Sequence, residues 1–257
     1  MSLAACAGLV ARADPDRFLA AMAAPVAARE TLFPIYALNV EVSRAPWVTQ
    51  EAMIAEMRLQ WWRDALEELA QGKRPRAHEV VGPLAQALGE GTDWGALDRF
   101  VAARRWDIYR DPFEDDAHFE RYLQDTAGTL MWVSAQALGA AEASEAAVRG
   151  FGWAVGLANY LRAVPALEER GRIPLLDGRP TALVALAETG LARLSDARDA
   201  AGPIPARARA ALRAGWLAGP ILKQVRAEPG RVAEGALGVS EFARRARLMA
   251  LSATGRW

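Results

Sequence analysis

Helix-forming residues run through this chain almost without interruption, and hardly any segment alternates as a half-buried strand must. Ala, Leu, Arg and Glu dominate, and these side chains lose little rotamer freedom in a helix. Alternating Val/Ile/Thr runs are scarce, so a sheet has almost nothing to be built from. The clearest case is 49–71, where Leu59, Trp62, Leu66 and Leu69 recur at spacings of three and four and make one apolar stripe. The pattern predicts helices over 15–23, 26–45, 49–71, 79–89, 93–110, 115–139, 143–169, 180–195, 204–226 and 238–252. An all-α fold follows. With 257 residues, 52% of them hydrophobic, one core can use the whole length, so 1–257 is expected to be a single domain.

Local chemistry marks where these helices stop. Thr49 is a candidate cap for the 49–71 helix, and Gly72 can end it. Asp93 can cap the helix leading to Trp106, and Pro112 should end it near 109–111. Gly202-Pro203-Ile204-Pro205 reads as a turn. Pro34 and Pro165 fall inside helical patterns, and each predicts a kink or a restart. The 171–180 segment holds Gly, Pro and Asp and reads as a mobile surface loop. Trp61 and Trp62 are adjacent, so both cannot centre on one stripe. The 49–71 helix is therefore expected to pack on two sides, or to leave one Trp for a partner or a lipid.

Composition removes several function classes. Basic and acidic residues balance at 31 each, so no global field favours nucleic acid or a strongly anionic surface. The nine Trp residues are not interleaved with a basic patch, as a single-strand platform would need. No run approaches 18 apolar residues, so no transmembrane helix is expected. The first residues lack a basic-then-apolar signal pattern. Cys6 is the one cysteine; it allows no intrachain disulfide, has no basic neighbour to activate it, and suits a reducing, cytoplasmic setting. His78 and His118 are isolated, and one imidazole makes neither a metal site nor a triad. There is no Gly-rich phosphate loop and no His-Glu-x-x-His.

One motif stands out by what it lacks. Residues 156–176 run Gly-Leu-Ala-Asn-Tyr-Leu-Arg-Ala-Val-Pro-Ala-Leu-Glu-Glu-Arg-Gly-Arg-Ile-Pro-Leu-Leu. They resemble the second aspartate-rich segment of the squalene/phytoene synthase family, roughly Asn-x-x-Arg-Asp-x-x-x-Asp followed by Gly-Arg. Asn159, Arg162, Gly171 and Arg172 match, whereas the two aspartate positions fall on Ala163 and Leu167. Residues 33–46, with Tyr36-Ala37-Leu38-Asn39, resemble the first aspartate-rich helix, and its aspartate pair falls on Ser43 and Arg44. Residues 59–66 and 122–139 match the following helices of the family in order. Arg58–Asp64, Leu161–Ala163 and the stretch Arg247–Trp257 resemble a divergent branch that includes a mitochondrial complex I assembly factor and its alphaproteobacterial relatives.

The resemblance implies an isoprenoid-synthase-like helical bundle around a central apolar cavity. Enzymes of the family join prenyl diphosphates, whose leaving group needs Mg²⁺ held by carboxylates from two facing helices. Here Ser43, Arg44, Ala163 and Leu167 stand at those positions, so neither a catalytic residue nor a cofactor is assigned. Asp107 and Asp111 have the i, i+4 spacing of a substitute pair, a pattern equally common on solvated helices. Tyr36, Asn39, Asn159, Arg162 and Arg172 are expected around the cavity mouth, either as a ligand pocket or as interhelical hydrogen bonders. In the second case Arg44 or Arg162 pairs with a nearby acid such as Glu41 or Glu168.

Three functions stay open. The favoured one is a non-catalytic binding protein, for which the branch implies a role in assembly of respiratory complex I at the inner face of the membrane. The others are an Mg²⁺-dependent farnesyl or geranylgeranyl diphosphate transferase and a carrier of an isoprenoid or quinone-type lipid.

Overall fold

A computed structural model describes residues 2–89, 91–200, 202 and 204–257. These residues form thirteen α-helices and no strand. In order they are α1 (Leu3–Ala13), α2 (Pro15–Met22), α3 (Val26–Arg44), α4 (Ala52–Ala70), α5 (Val81–Ala87), α6 (Trp94–Ala103) and α7 (Asp116–Leu123), then α8 (Thr129–Ala137), α9 (Glu145–Glu169), α10 (Pro180–Asp199), α11 (Arg209–Leu212), α12 (Ala218–Ala227) and α13 (Glu241–Thr254).

The two helices that carry the degenerate motifs bury more residues than any other helix. In α9 the run Phe151–Ala158 is entirely buried, followed by Tyr160, Leu161, Val164 and Leu167. A helix apolar all round must have neighbours all round, and α9 packs against α8, α10 and α12. In α3 every residue from Thr31 to Asn39 is buried, and this helix packs against α1, α5 and α8. Trp132, Trp153, Trp216, Tyr36, Phe100 and Phe151 are the largest fully buried side chains. By contrast α4 buries one stripe, which includes Leu59, Trp62 and Leu66.

The end signals hold in part. Gly72 takes a left-handed φ of 68° after α4. Its N–H reaches the Leu69 carbonyl, and the Lys73 N–H reaches that of Glu68. This paired closure suits a residue without a Cβ. Asp93 caps α6 by accepting from the Ala96 N–H at 2.9 Å. Thr49 does not cap α4: Glu51 holds that position without a side-chain bond, and the Thr49 hydroxyl accepts from the Glu51 N–H in the turn before it. The helix expected to end near 109–111 stops at Ala103 and continues as a 3₁₀ turn over Arg104–Asp107. Pro34 and Pro165 restart nothing, since α3 and α9 run through them. The 204–226 segment divides into α11, a short 3₁₀ turn and α12. Of the Gly202–Pro205 turn, Pro203 lies outside the described residues. In the 171–180 segment Arg172 and Pro174 face inward, so it is not a purely surface loop.

The expected 115–139 helix is interrupted by a π-turn over Gln124–Gly128 that separates α7 from α8. Inside it the Thr126 hydroxyl donates to the Tyr122 carbonyl at 2.6 Å. Such turns insert one residue and frequently occur at functional sites. This one fits closely over α9. A Cβ added at Gly152 would lie 2.8 Å from the Ala127 carbonyl oxygen and 2.7 Å from the Met131 Cβ, and one at Gly156 would lie 2.5 Å from the Ala127 Cβ.

Candidate functional site: a cleft between the motif helices

The two motif helices face one another across a cleft of about 400 Å³. Asn39 and Ser43 of α3 line one wall, and Asn159, Arg162, Ala163 and Leu167 of α9 line the other. Arg44 borders an adjoining recess that shares Asn39 and Ser43. The four positions where the family pattern wants aspartate therefore converge in space. The π-turn contributes Thr126 and Ala127, with Tyr122 and Leu123 just before it. The inner part is apolar, with Val155, Leu217 and Ala218, while the mouth is polar.

Nearly every charge at this mouth has a partner. Asp14 caps α2 by accepting from the Arg17 N–H at 2.9 Å, and it also pairs with the Arg17 guanidinium. Asp16 accepts from Arg162 at 3.1 Å and pairs with Arg244 of α13. Arg44 pairs with Glu41 at 3.4 Å. The expectation that Arg44 takes Glu41 holds. Arg162 passes over the nearby Glu168 for an acid far away in sequence.

Asp107 and Asp111 do not form a pair. Asp107 is 6% exposed and lines the cleft, whereas Asp111 is exposed beyond the 3₁₀ turn. The 3₁₀ turn ends at Asp107, so the helical register that would align i with i+4 is absent. The Asp107 carboxylate accepts from the Tyr122 hydroxyl at 3.1 Å and from Arg104 at 3.3 Å. Burial pushes the Asp107 carboxyl above its ordinary value, against the pull of Arg104 and Tyr122. Burial also raises the Tyr122 hydroxyl, so it remains a donor.

The remaining candidates lie behind the wall. Tyr36 is buried beneath the cleft, and its hydroxyl donates to the Ala211 carbonyl at 3.4 Å. Arg172 is buried with its guanidinium carbon 4.1 Å from the Trp106 ring centre, and it donates to the Trp106 carbonyl at 2.6 Å. Loss of hydration lowers the Arg172 pKa. Both residues support the wall and neither lines the cleft. Asp14, Asp16, Arg17, Arg104, Trp47 and Trp216 line it without belonging to any motif read from the sequence. The one sequence signal near Asp14 and Asp16 is the helix start at Pro15.

The family chemistry requires Mg²⁺, a hard cation that needs several converging oxygens. The motif positions offer Ser43, Arg44, Ala163 and Leu167. The cleft acids Asp14, Asp16 and Asp107 each already answer an arginine. Among the described residues, no three His, Cys, Asp or Glu side chains converge as metal ligands. The residues present do not fit an Mg²⁺ clamp. His78 and His118 are held locally, each accepting at Nδ1 from a backbone N–H.

A family model described as squalene/phytoene synthase matches residues 10–175. The chain is 26% identical over 179 residues to NADH dehydrogenase (ubiquinone) complex I, assembly factor 6, from Homo sapiens, covering 65% of this chain and 51% of that protein. It is 29% identical over 170 residues to the Drosophila melanogaster homolog, covering 62% and 50%. The chain thus spans about half the length of the curated relatives it matches. In fold it is similar to a dehydrosqualene synthase crystal structure, with TM-score 0.80, 18% identity and coverage of 98% and 95%. It is also similar to squalene synthase HpnC from Alicyclobacillus acidocaldarius, with TM-score 0.72, 14% identity and coverage of 88% and 93%.

Proposed function

Since the chain belongs to the squalene/phytoene synthase family, we propose that it acts by binding and not by prenyl transfer, as one domain over 1–257. Its partner in this reading is an assembly intermediate of respiratory complex I, met at the inner face of the membrane. The observation that carries the reading is the convergence of Ser43, Ala163 and Leu167 on one cleft, with Arg44 beside them and each cleft acid taken by an arginine. A diphosphate leaving group there would lack the cation that makes it leave. The similarity to assembly factor 6 proteins supports the partner.

A surface for that partner is available on α4, at a different place from the Trp pair. Trp62 is buried and Trp61 half-buried, with Arg76 stacked over Trp61 at 5.2 Å. Both belong to the helix packing. On the outer face Met53 and Met57, one turn apart, are 75% and 66% exposed, with Ile54 beside them. Pliable Met side chains are common at binding surfaces. Among the described residues no helix is long and apolar enough to cross a membrane.

The test is diphosphate release from farnesyl or geranylgeranyl diphosphate with Mg²⁺, beside a working synthase. No release is expected. Sustained turnover would overturn the reading. Met53→Asp with Met57→Asp should then abolish capture of complex I subunits by the tagged protein without lowering its melting temperature.

A further inference from the structure

A groove runs along α10, outside the cleft. It consists of two recesses of about 350 and 410 Å³ that meet at Glu120, and none of their lining residues lines the cleft. One wall is a stripe on α10, from Ala182 through Ala185, Thr189 and Arg193 to Asp196. These residues follow at spacings of three and four, so they share one helix face. At 1.5 Å per residue the stripe is about 21 Å long. The other wall of the first recess is Asp116, Phe119 and Glu120 of α7, and Trp153 of α9 lies between. Where the recesses meet, Arg193 donates to Glu120 at 2.8 Å and lies 3.8 Å from the Trp153 ring centre. One side chain thus spans the groove from α10 to α7.

Shape and charge together select the occupant. The groove is long and open, with Ala185, Thr189 and Asp196 exposed, so it suits a length of chain better than a compact small molecule. A helix laid in a groove anchors through side chains at i, i+3, i+4 and i+7, the same spacing as the α10 stripe. The lining holds four acids, Asp116, Glu120, Asp177 and Asp196, and Arg193 as its one cation. Glu120 takes Arg193 and Asp177 takes Arg179. Asp116 and Asp196, one in each recess, are exposed and make no ion pair among the described residues. Only an occupant with cations near both ends answers them, while Phe119, Trp153 and Leu186 accept its apolar side. Charge complementarity of this kind sets partner choice and on-rate.

We propose that this groove receives a basic amphipathic helix of a partner protein, its apolar stripe on Phe119, Trp153 and Leu186 and its cations beside Asp116 and Asp196. The groove shares no residue with the Met53 and Met57 surface of α4, so it is a second docking surface. The proposal goes beyond the reading above and does not rest on it, because prenyl transfer in the cleft would leave the groove as it is.

The probe is a fluorescein-labelled Leu/Lys peptide of about four turns, with Leu on one helical stripe and Lys on the other side. Fluorescence anisotropy with the intact protein should show saturable binding at about one peptide per chain, and circular dichroism should show the peptide gaining helix. A Leu/Glu version of the same pattern, and a Leu/Lys version with the stripe scrambled, should each bind at least about tenfold more weakly. Ala185→Trp fills the groove from an exposed position and should abolish binding without lowering the melting temperature. Asp116→Asn with Asp196→Asn should weaken it by about tenfold and flatten its dependence on salt, which keeps the test intact if the Trp variant fails to fold. No binding, equal binding of the Glu or scrambled peptide, or full affinity in either groove variant would overturn the proposal. So would self-association of the protein that Ala185→Trp removes, since the occupant would then be a second copy. Diphosphate release in the cleft would sink the non-catalytic reading and leave this one standing.

Discussion

The guanidinium of Arg162 reaches the carboxylate of Asp16 at 3.1 Å, across 146 residues of sequence. Arg244 meets the same carboxylate from α13. One aspartate thereby joins α2, α9 and the last helix at the cleft, and Glu241 supplies Arg244 with a second acid at 3.0 Å.

Asp16→Asn should undo that balance. Arg162 would then face the cleft without a counter-charge, while Arg244 keeps Glu241, and farnesyl diphosphate binding should rise by roughly tenfold and weaken with added salt. Stability should fall by only about 1–2 kcal/mol, because the pairs are partly open to water. An unchanged diphosphate affinity would show that Asp16 does not set the charge preference of the site.

Arg172 separates support from recognition. Arg172→Leu removes a cation stacked on Trp106 and strands the Trp106 carbonyl. Thermal unfolding should report a loss of about 2–3 kcal/mol. Unchanged stability would show that Arg172 does not hold this wall together.

Gly152→Ala sets helix propensity against packing. Alanine favours an exposed helix by about 1 kcal/mol, yet here the new methyl would press on the Ala127 carbonyl and Met131. Overpacking of this kind costs about 1–3 kcal/mol, so denaturant unfolding should show net destabilisation. A more stable variant would mean that the π-turn moves aside freely.

Cys6 is fully buried, with its thiol 3.7 Å from the Glu79 carbonyl. Burial pushes it up to about 11. At pH 8 the folded protein should therefore react with iodoacetamide far more slowly than the unfolded chain. Between the ordinary thiol value and about 11, the unfolded chain loses this proton while the folded one keeps it. This group's contribution to stability thus falls as pH rises through that window. Fast labelling of the native protein at pH 8 would contradict this burial.

What could be read from the sequence was what periodicity encodes. The apolar stripe of α4, the long α3 and α9 and the closure at Gly72 all follow from local spacing. The family frame placed Asn39, Ser43, Asn159, Arg162, Ala163 and Leu167 on one cleft because the order of segments fixes which helices face. Pairing across distance was not legible. Nothing near Arg162 points to Asp16, and Glu168 was the closer acid. Burial of Asp107 was equally hidden, since spacing cannot tell a solvated acid from one held by Tyr122 and Arg104. The α1 helix (Leu3–Ala13) escaped because its start carries no side-chain cap and its short apolar stretch resembles other contexts as much as a helix.

The π-turn makes α7 and α8 one rod along the chain but two rods in phase. One added residue turns everything beyond it by about 100°, so Gln124–Gly128 works as an angular spacer. Deleting a single residue there would change direction more than length. The face of α8 that now meets α9 would swing a quarter-turn aside, and neighbours would be exchanged along the whole of α8 although no side chain beyond the deletion had been altered.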